Sequence, residues 1–187
     1  MNQKPKAIVL LADGFEEIEA ITPLDLLRRS GIETLSVSLG DLTVKSARGI
    51  PVLSDTTLKN VLSREDWDAC ILPGGGVGAK NLAASQELKV FLRKMNQQGK
   101  WIAAICASPA EVLAPFGILD QRAATCYPGM ESAFSPSTRH SPQSVVVDGN
   151  VITSQGPGTS IEFALTIIEK LRGKDIRNTI AKAILLP

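Results

Sequence analysis

The feature that most constrains this chain is an alternation. Short runs rich in Val, Ile, Leu and Ala are separated by longer stretches with helical spacing. That rhythm is the mark of βαβ units and a mostly parallel sheet. Lys6–Ala12 is a continuous apolar run, as expected for a strand covered on both faces. Glu16–Ser30 reads as the helix after it, ended by Gly31 behind the basic pair Arg28-Arg29. Strands are expected over Glu33–Leu39, Asp68–Leu72, Trp101–Ile105 and Arg122–Thr125, and helices over Gln86–Gln98, Ala107–Leu113, Thr159–Arg172 and Asp175–Ile184. Thr159-x-x-Glu162 reads as a capping box. Two hairpins are expected: Leu42–Val44 with Ile50–Leu53, and Val145–Val147 with Val151–Ser154 around Asp148-Gly149. With 187 residues and no repeat or linker, the reading is one domain from end to end.

Charge and cysteine usage narrow the function classes. Twenty Lys and Arg stand against nineteen Asp and Glu, a net charge of +1, so nucleic acid and anionic membrane are poor default partners. No window is apolar for the roughly 18 residues that a membrane helix needs. Lys4 and Lys6 precede a run too short for a secretory core, so the cytoplasm is the expected compartment. Cys70, Cys106 and Cys126 are odd in number and lack a C-x-x-C pair, and His140 is the one histidine. Neither a disulfide framework nor a metal site is expected.

In an open parallel sheet, ligands collect beyond the carboxyl ends of the strands. Four segments leave such ends: Asp13–Glu19, Pro73–Gly78, Cys106–Pro109 and Gln155–Thr159. In the third, a buried strand runs into Cys106, then Ala107 and Ser108, then Pro109. This is the layout of a nucleophile elbow, with a helix N-terminus expected to favour the thiolate. The competing reading is a small core cysteine; the strand-to-helix junction favours the nucleophile. The backbone N–H groups of Gly74 and Gly75 either face Cys106 as an oxyanion hole or simply make a tight turn. Glu16, Glu17 and Glu19 complement a helix dipole. Glu19 also shares a stripe with Pro23, Leu26 and Ser30, so it is the acid that can point inward and become protonated. Cys70 reads as core, Cys126 as packing at a strand end, and His140 as surface.

Four motifs occur in order along nearly the whole chain: Leu11-Ala12-Asp13-Gly14-Phe15-Glu16-Glu17-Ile18-Glu19, Leu72-Pro73-Gly74-Gly75, Ala103-Ala104-Ile105-Cys106-Ala107 and Ser154-Gln155-Gly156-Pro157-Gly158-Thr159. Together they resemble the DJ-1/ThiJ/PfpI superfamily, in its DJ-1-like branch. The resemblance implies a flavodoxin-like, doubly wound, mostly parallel sheet, the class I glutamine amidotransferase-like sandwich, and a homodimer. It implies that Cys106 is an oxidisable nucleophile, that Glu19 is the protonated acid beside it, and that the amides of Gly75 and Ala107 form the oxyanion pocket with Gly74 adjoining. By the same resemblance Arg48 reaches the pocket from the partner subunit, and the Gly156-Pro157 turn walls it. Many relatives carry a histidine where Tyr127 stands here. A phenol with a pKa near 10 is a poor base at neutral pH, which argues against a Cys-His-acid triad and against amidotransferase or peptidase chemistry.

Two functions follow as expectations. One is an enzyme that converts reactive dicarbonyls, or their early adducts on proteins, by glyoxalase- or deglycase-type chemistry without a cofactor; its partners are a small aldehyde or a glycated protein. The other is a non-enzymatic redox sensor or redox-regulated chaperone, in which Cys106 oxidises to sulfinic acid. A flavin- or nucleotide-binding module ranks last, because Asp13 and Glu16 stand where phosphate needs glycines or hydroxyls.

Overall fold

Strand β1, Lys6–Leu11, is buried along its apolar length because strands flank it on both edges and helices cover both faces. It belongs to a computed structural model that describes residues 4–186. In chain order the elements are β1, α1 (Glu17–Arg29), β2 (Glu33–Ser38), β3 (Thr43–Lys45), β4 (Pro51–Leu53), β5 (Thr56–Thr57), α2 (Leu58–Val61), β6 (Ala69–Leu72), α3 (Gly76–Ala84), α4 (Gln86–Gln97), β7 (Trp101–Ile105), β8 (Ala123–Ala124), β9 (Arg139–His140), β10 (Val145–Asp148), β11 (Val151–Ser154), α5 (Ser160–Arg172) and α6 (Lys174–Ala183). A single π-type turn spans Pro109–Leu113.

Seven strands form one sheet in the order β10-β11-β7-β6-β1-β2-β5. All neighbours run parallel except β10, which folds back antiparallel on β11. From β1 the chain steps to β2 on one side, whereas β6 steps to β7 on the other. Right-handed crossovers in opposite directions put the connecting helices on opposite faces. Accordingly α1 packs with α5, and α5 with α6, while α3 and α4 pack together and α4 lies on β7. The order reverses between β1 and β6, where a doubly wound sheet opens its ligand crevice. The expected α/β class and mostly parallel sheet are therefore the ones observed.

The strands and long helices fall where the periodicity predicts them, and the departures have local causes. Helix α3 was not expected, because Gly76 and Gly78 read as loop. It packs by close backbone approach: a Cβ on Gly78 would lie 2.7 Å from the Phe15 backbone, so small residues replace an apolar stripe. The expected helix over Ala107–Leu113 is only the π-type turn. The expected capping box does not form. Thr159 Oγ1 instead bonds Ser154 Oγ at 2.6 Å and the Gly156 N–H, and the Glu162 carboxylate accepts from Ser144 Oγ. In the second hairpin Asp148 still pairs with Val151, so the two-residue loop is Gly149-Asn150. Strand β8 pairs in parallel with β9 over two residues, apart from the main sheet.

Candidate active site

Strand β7 delivers Cys106 into the crevice, and the backbone there is forced. Cys106 has φ +64°, a left-handed conformation that an L-residue adopts at a cost of about 1–3 kcal/mol. Two main-chain bonds impose it. The Cys106 N–H donates to the Ser154 carbonyl at the end of β11 (2.9 Å), and its carbonyl accepts from the Tyr127 N–H (2.8 Å). The two small residues that follow, Ala107 and Ser108, are both buried beside this turn. Cys106 itself is 9% exposed.

The loop after β6 closes on this turn. A Cβ on Gly74 would lie 2.7 Å from Cys106 Cβ and 2.7 Å from Glu19 Oε2, so only glycine fits between them. Gly75 has φ +90°, and a Cβ there would meet the Gly14 carbonyl oxygen at 2.2 Å. The amides of Gly75 and Ala107 both donate toward the Cys106 sulfur and hold its proton affinity down.

Glu19 comes from the first turn of α1, whose start is fixed by the Glu16 side chain accepting the Glu19 N–H at 2.8 Å. Its side chain is fully buried. Oε2 accepts the Gly74 N–H at 2.7 Å, Oε1 has no hydrogen-bond partner, and the carboxyl as a whole acts on the Cys106 side chain. Burial raises the Glu19 pKa to about 7, against the pull of Cys106 and of the Gly74 amide. The inward stripe of α1 thus carries a carboxyl group poised to be neutral.

Cys106 corrects the expectation of an acidic thiol. Burial first, then the charge of Glu19, push its pKa up to about 12. No helix N-terminus offsets this, because the π-type turn begins three residues on and is only five residues long. The second cause depends on the state of Glu19. Once Glu19 is protonated its repulsion is gone, and its O–H becomes a donor to the sulfur. The two groups act as one coupled unit.

The remaining candidates fall into place around this pair. The Tyr127 ring lies against Gly156, whose absent Cβ would sit 3.5 Å from Cδ2, and half of Tyr127 faces solvent. Pro157, half-buried, opens the next turn, so Tyr127, Gly156 and Pro157 form one rim. Arg48 is exposed at the tip of the β3–β4 hairpin. Its N–H donates to Glu17 Oε1 at 2.7 Å, Ser46 Oγ bonds the same oxygen, and Ala47 N–H reaches the Phe15 carbonyl. The hairpin is therefore stitched to the Asp13–Glu17 segment. Cys70 is fully buried in β6. Cys126 is buried, its thiol raised to about 11 by burial and by the charge of Glu131. His140 is exposed on β9 beside Phe134 and acts on neither Cys106 nor Glu19. Among the described residues no cluster of three or more His, Cys, Asp or Glu could hold a metal ion, and no helix is long and apolar enough to cross a membrane. Sequence reading missed Ser108, whose hydroxyl donates to the Pro73 carbonyl at 2.5 Å. The available signal was a hydroxyl residue in an otherwise apolar strand-to-turn junction.

Comparison with known proteins places this geometry. The DJ-1/PfpI family model matches residues 5–170. Protein DJ-1 homolog B of Arabidopsis thaliana is 40% identical over 97% of this chain, which spans 41% of that longer protein. A Caenorhabditis elegans protein named glutathione-independent glyoxalase DJR-1.2 is 35% identical, with 98% of this chain and 97% of the relative covered. The crystal structure of Drosophila melanogaster DJ-1beta superposes with a TM-score of 0.95 at 40% identity, covering 99% of this chain and 100% of that one. On a family match across residues 5–170 and relatives of 35–40% identity over nearly the whole chain, this protein belongs to the DJ-1/PfpI family.

Proposed function

We propose that this protein is a cysteine-dependent carbonyl-stress enzyme that converts reactive dicarbonyls, or their early adducts on proteins, to hydroxy acids. The observation that carries the reading is the contact between Cys106 and the buried, weakly acidic Glu19 across Gly74. The glyoxalase among the relatives supports it.

For methylglyoxal the steps balance without an external oxidant or reductant. The Cys106 thiolate adds to the aldehyde carbon, forming a C–S bond while the proton of Glu19 passes to the carbonyl oxygen. The ionised Glu19 then removes the C–H proton from that carbon and returns it to the neighbouring ketone carbon, while the proton of the new hydroxyl passes to the ketone oxygen. One carbon is oxidised to a thioester and the other reduced to a carbinol. Water cleaves the thioester, releasing lactate and the thiol. The Gly75 and Ala107 amides face the negative charge before addition and are free to face the oxygen afterwards. Methylglyoxal consumption by wild type, Cys106→Ser and Glu19→Gln tests the reading; turnover unchanged by either substitution would overturn it.

A second reading shares the same atoms. Peroxide oxidises a thiolate through sulfenic to sulfinic acid. A neutral Glu19, with Oε1 lacking any N–H or O–H donor, could hydrogen-bond the sulfinate and serve redox sensing or a redox-regulated chaperone.

The working unit under this proposal is a cytoplasmic homodimer of single-domain chains. Three free cysteines fit a reducing compartment. Ile18, Ile21, Ile50 and Leu53 are exposed on α1 and the hairpin that carries Arg48, and apolar exposure of that kind favours association.

A further inference from the structure

Ser108 lies just beyond the nucleophile, is fully buried and has a helical backbone. Its Oγ–H donates to the carbonyl oxygen of Pro73 on the neighbouring loop at 2.5 Å. That carbonyl belongs to the peptide group whose N–H, on Gly74, donates to Glu19 Oε2 at 2.7 Å. The three groups form one directed chain: the Ser108 hydroxyl, the Pro73–Gly74 peptide, the Glu19 carboxyl. Hydrogen bonds linked head to tail through a peptide polarise one another, and a water-poor interior enlarges the effect. The chain also ties the turn that carries Cys106 to the loop that carries Gly75, so both amides facing the sulfur keep their spacing.

We infer that Ser108 is a positioning residue: its hydroxyl locks and polarises the Pro73–Gly74 peptide, so that the N–H of the same peptide grips the Glu19 carboxyl. The proposal rests on Glu19 being the acid of the reaction above, but it concerns a property of Glu19 that exists without turnover. The ionisable groups that act on Glu19 are Cys106, from the turn after β7, and Glu16, from the start of α1. Neither touches Ser108 through a hydrogen bond, so a change at Ser108 reaches Glu19 by way of the peptide. The Gly74 N–H favours the ionised carboxyl, and weakening that donor leaves Glu19 holding its proton to higher pH.

The test is a carbon-13 NMR titration of the Glu19 carboxyl in the full-length protein labelled in glutamate, with Glu19→Gln assigning the signal. It is repeated in a Cys106→Ser background to remove the coupled thiol. Ser108→Ala is expected to raise the Glu19 midpoint by roughly 0.2–0.6 unit in both backgrounds, the effect of weakening one charge-assisted hydrogen bond by about 10–30%. Ser108→Thr, which keeps the donor, is expected to restore it. A folded Ser108→Ala protein with an unmoved midpoint overturns the inference, because a purely structural role shows in the thermal melt alone. Should Ser108→Ala fail to fold, Ser108→Cys decides: a weak donor of similar size must give an intermediate shift, and a wild-type midpoint overturns the proposal. If Ser108→Ala shows the shift but wild type shows no methylglyoxal turnover, the enzymatic reading fails while the role of Ser108 stands.

Discussion

Cys106 and Glu19 meet across Gly74, whose missing side chain would have touched both at 2.7 Å. The two residues stand 87 positions apart in the sequence, and only glycine fits between them. The reactivity of the site is a property of the pair, not of the cysteine.

Loss of either partner should abolish turnover. Cys106→Ser removes the nucleophile, and methylglyoxal consumption is expected to fall to background. Glu19→Gln keeps the shape but cannot shuttle a proton, so kcat is expected to fall by about 10²- to 10⁴-fold. Steady-state assays with thermal melts run in parallel check both.

The pH dependence follows from the raised pKa of Glu19. A step that needs neutral Glu19 weakens as pH rises through about 7. The same shift has a sign for stability. A folded-state pKa raised from 4.5 to about 7 contributes stability that is complete below 4.5 and lost as pH climbs to about 7. Glu19→Gln carries no such charge, so its advantage over wild type should grow across that window and then level off, at no more than about 3.5 kcal/mol. Urea unfolding at pH 4, 6 and 8 measures it; a constant difference at all three would refute the assignment.

The left-handed backbone at residue 106 gives a prediction of opposite sign for stability and activity. Cys106→Gly relieves the φ of +64° and should unfold at least as late as Cys106→Ala, by about 1 kcal/mol, while activity is absent from both. Chemical denaturation of the two variants makes the comparison.

Gly75→Ala should fail twice. The new Cβ would press on the Gly14 carbonyl from a left-handed backbone, costing about 2–4 kcal/mol. It also moves one of the two amides that face the sulfur. A folded Gly75→Ala protein with wild-type kcat would show that this amide is dispensable.

Peroxide separates the second functional reading from the first. Mild treatment is expected to add two oxygens at Cys106 and none at Cys70, which is fully buried with a thiol that burial pushes far up. Intact-mass and peptide mass spectrometry read this. Glu19→Ala, which leaves no side-chain donor beside the sulfur, should let oxidation proceed past the sulfinic acid.

Much of this was legible in the sequence because it is written in periodicity and residue size. The apolar run of β1 and the inward stripe of α1 that includes Glu19 are visible as spacing, and the strand running into Cys106-Ala107 is visible as a junction. What was not legible depends on tertiary contact. The glycines of α3 hid a helix whose packing partner, the Phe15 backbone, lies far away in the chain. Thr159 and Glu162 had the spacing of a capping box, yet Ser154 and Ser144 offered better partners. The acidity expected of Cys106 came from a local rule about helix ends, but only a short π-type turn follows it, and burial beside a carboxylate pushes the thiol up. Ser108 was passed over because its partner, the Pro73 carbonyl, is a backbone atom that no motif records.

The way Cys106 is held has a wider consequence. Its amide and carbonyl are both fastened by main-chain atoms, those of Ser154 and Tyr127. Almost any amino acid can supply such atoms, so the site divides into a fixed chassis and an interchangeable face. The side chains of Tyr127 and Pro157 at the mouth are free to diverge without retuning the sulfur. A lineage built on this plan can exchange one class of visiting molecule for another while the reactive pair behind it stays as it is.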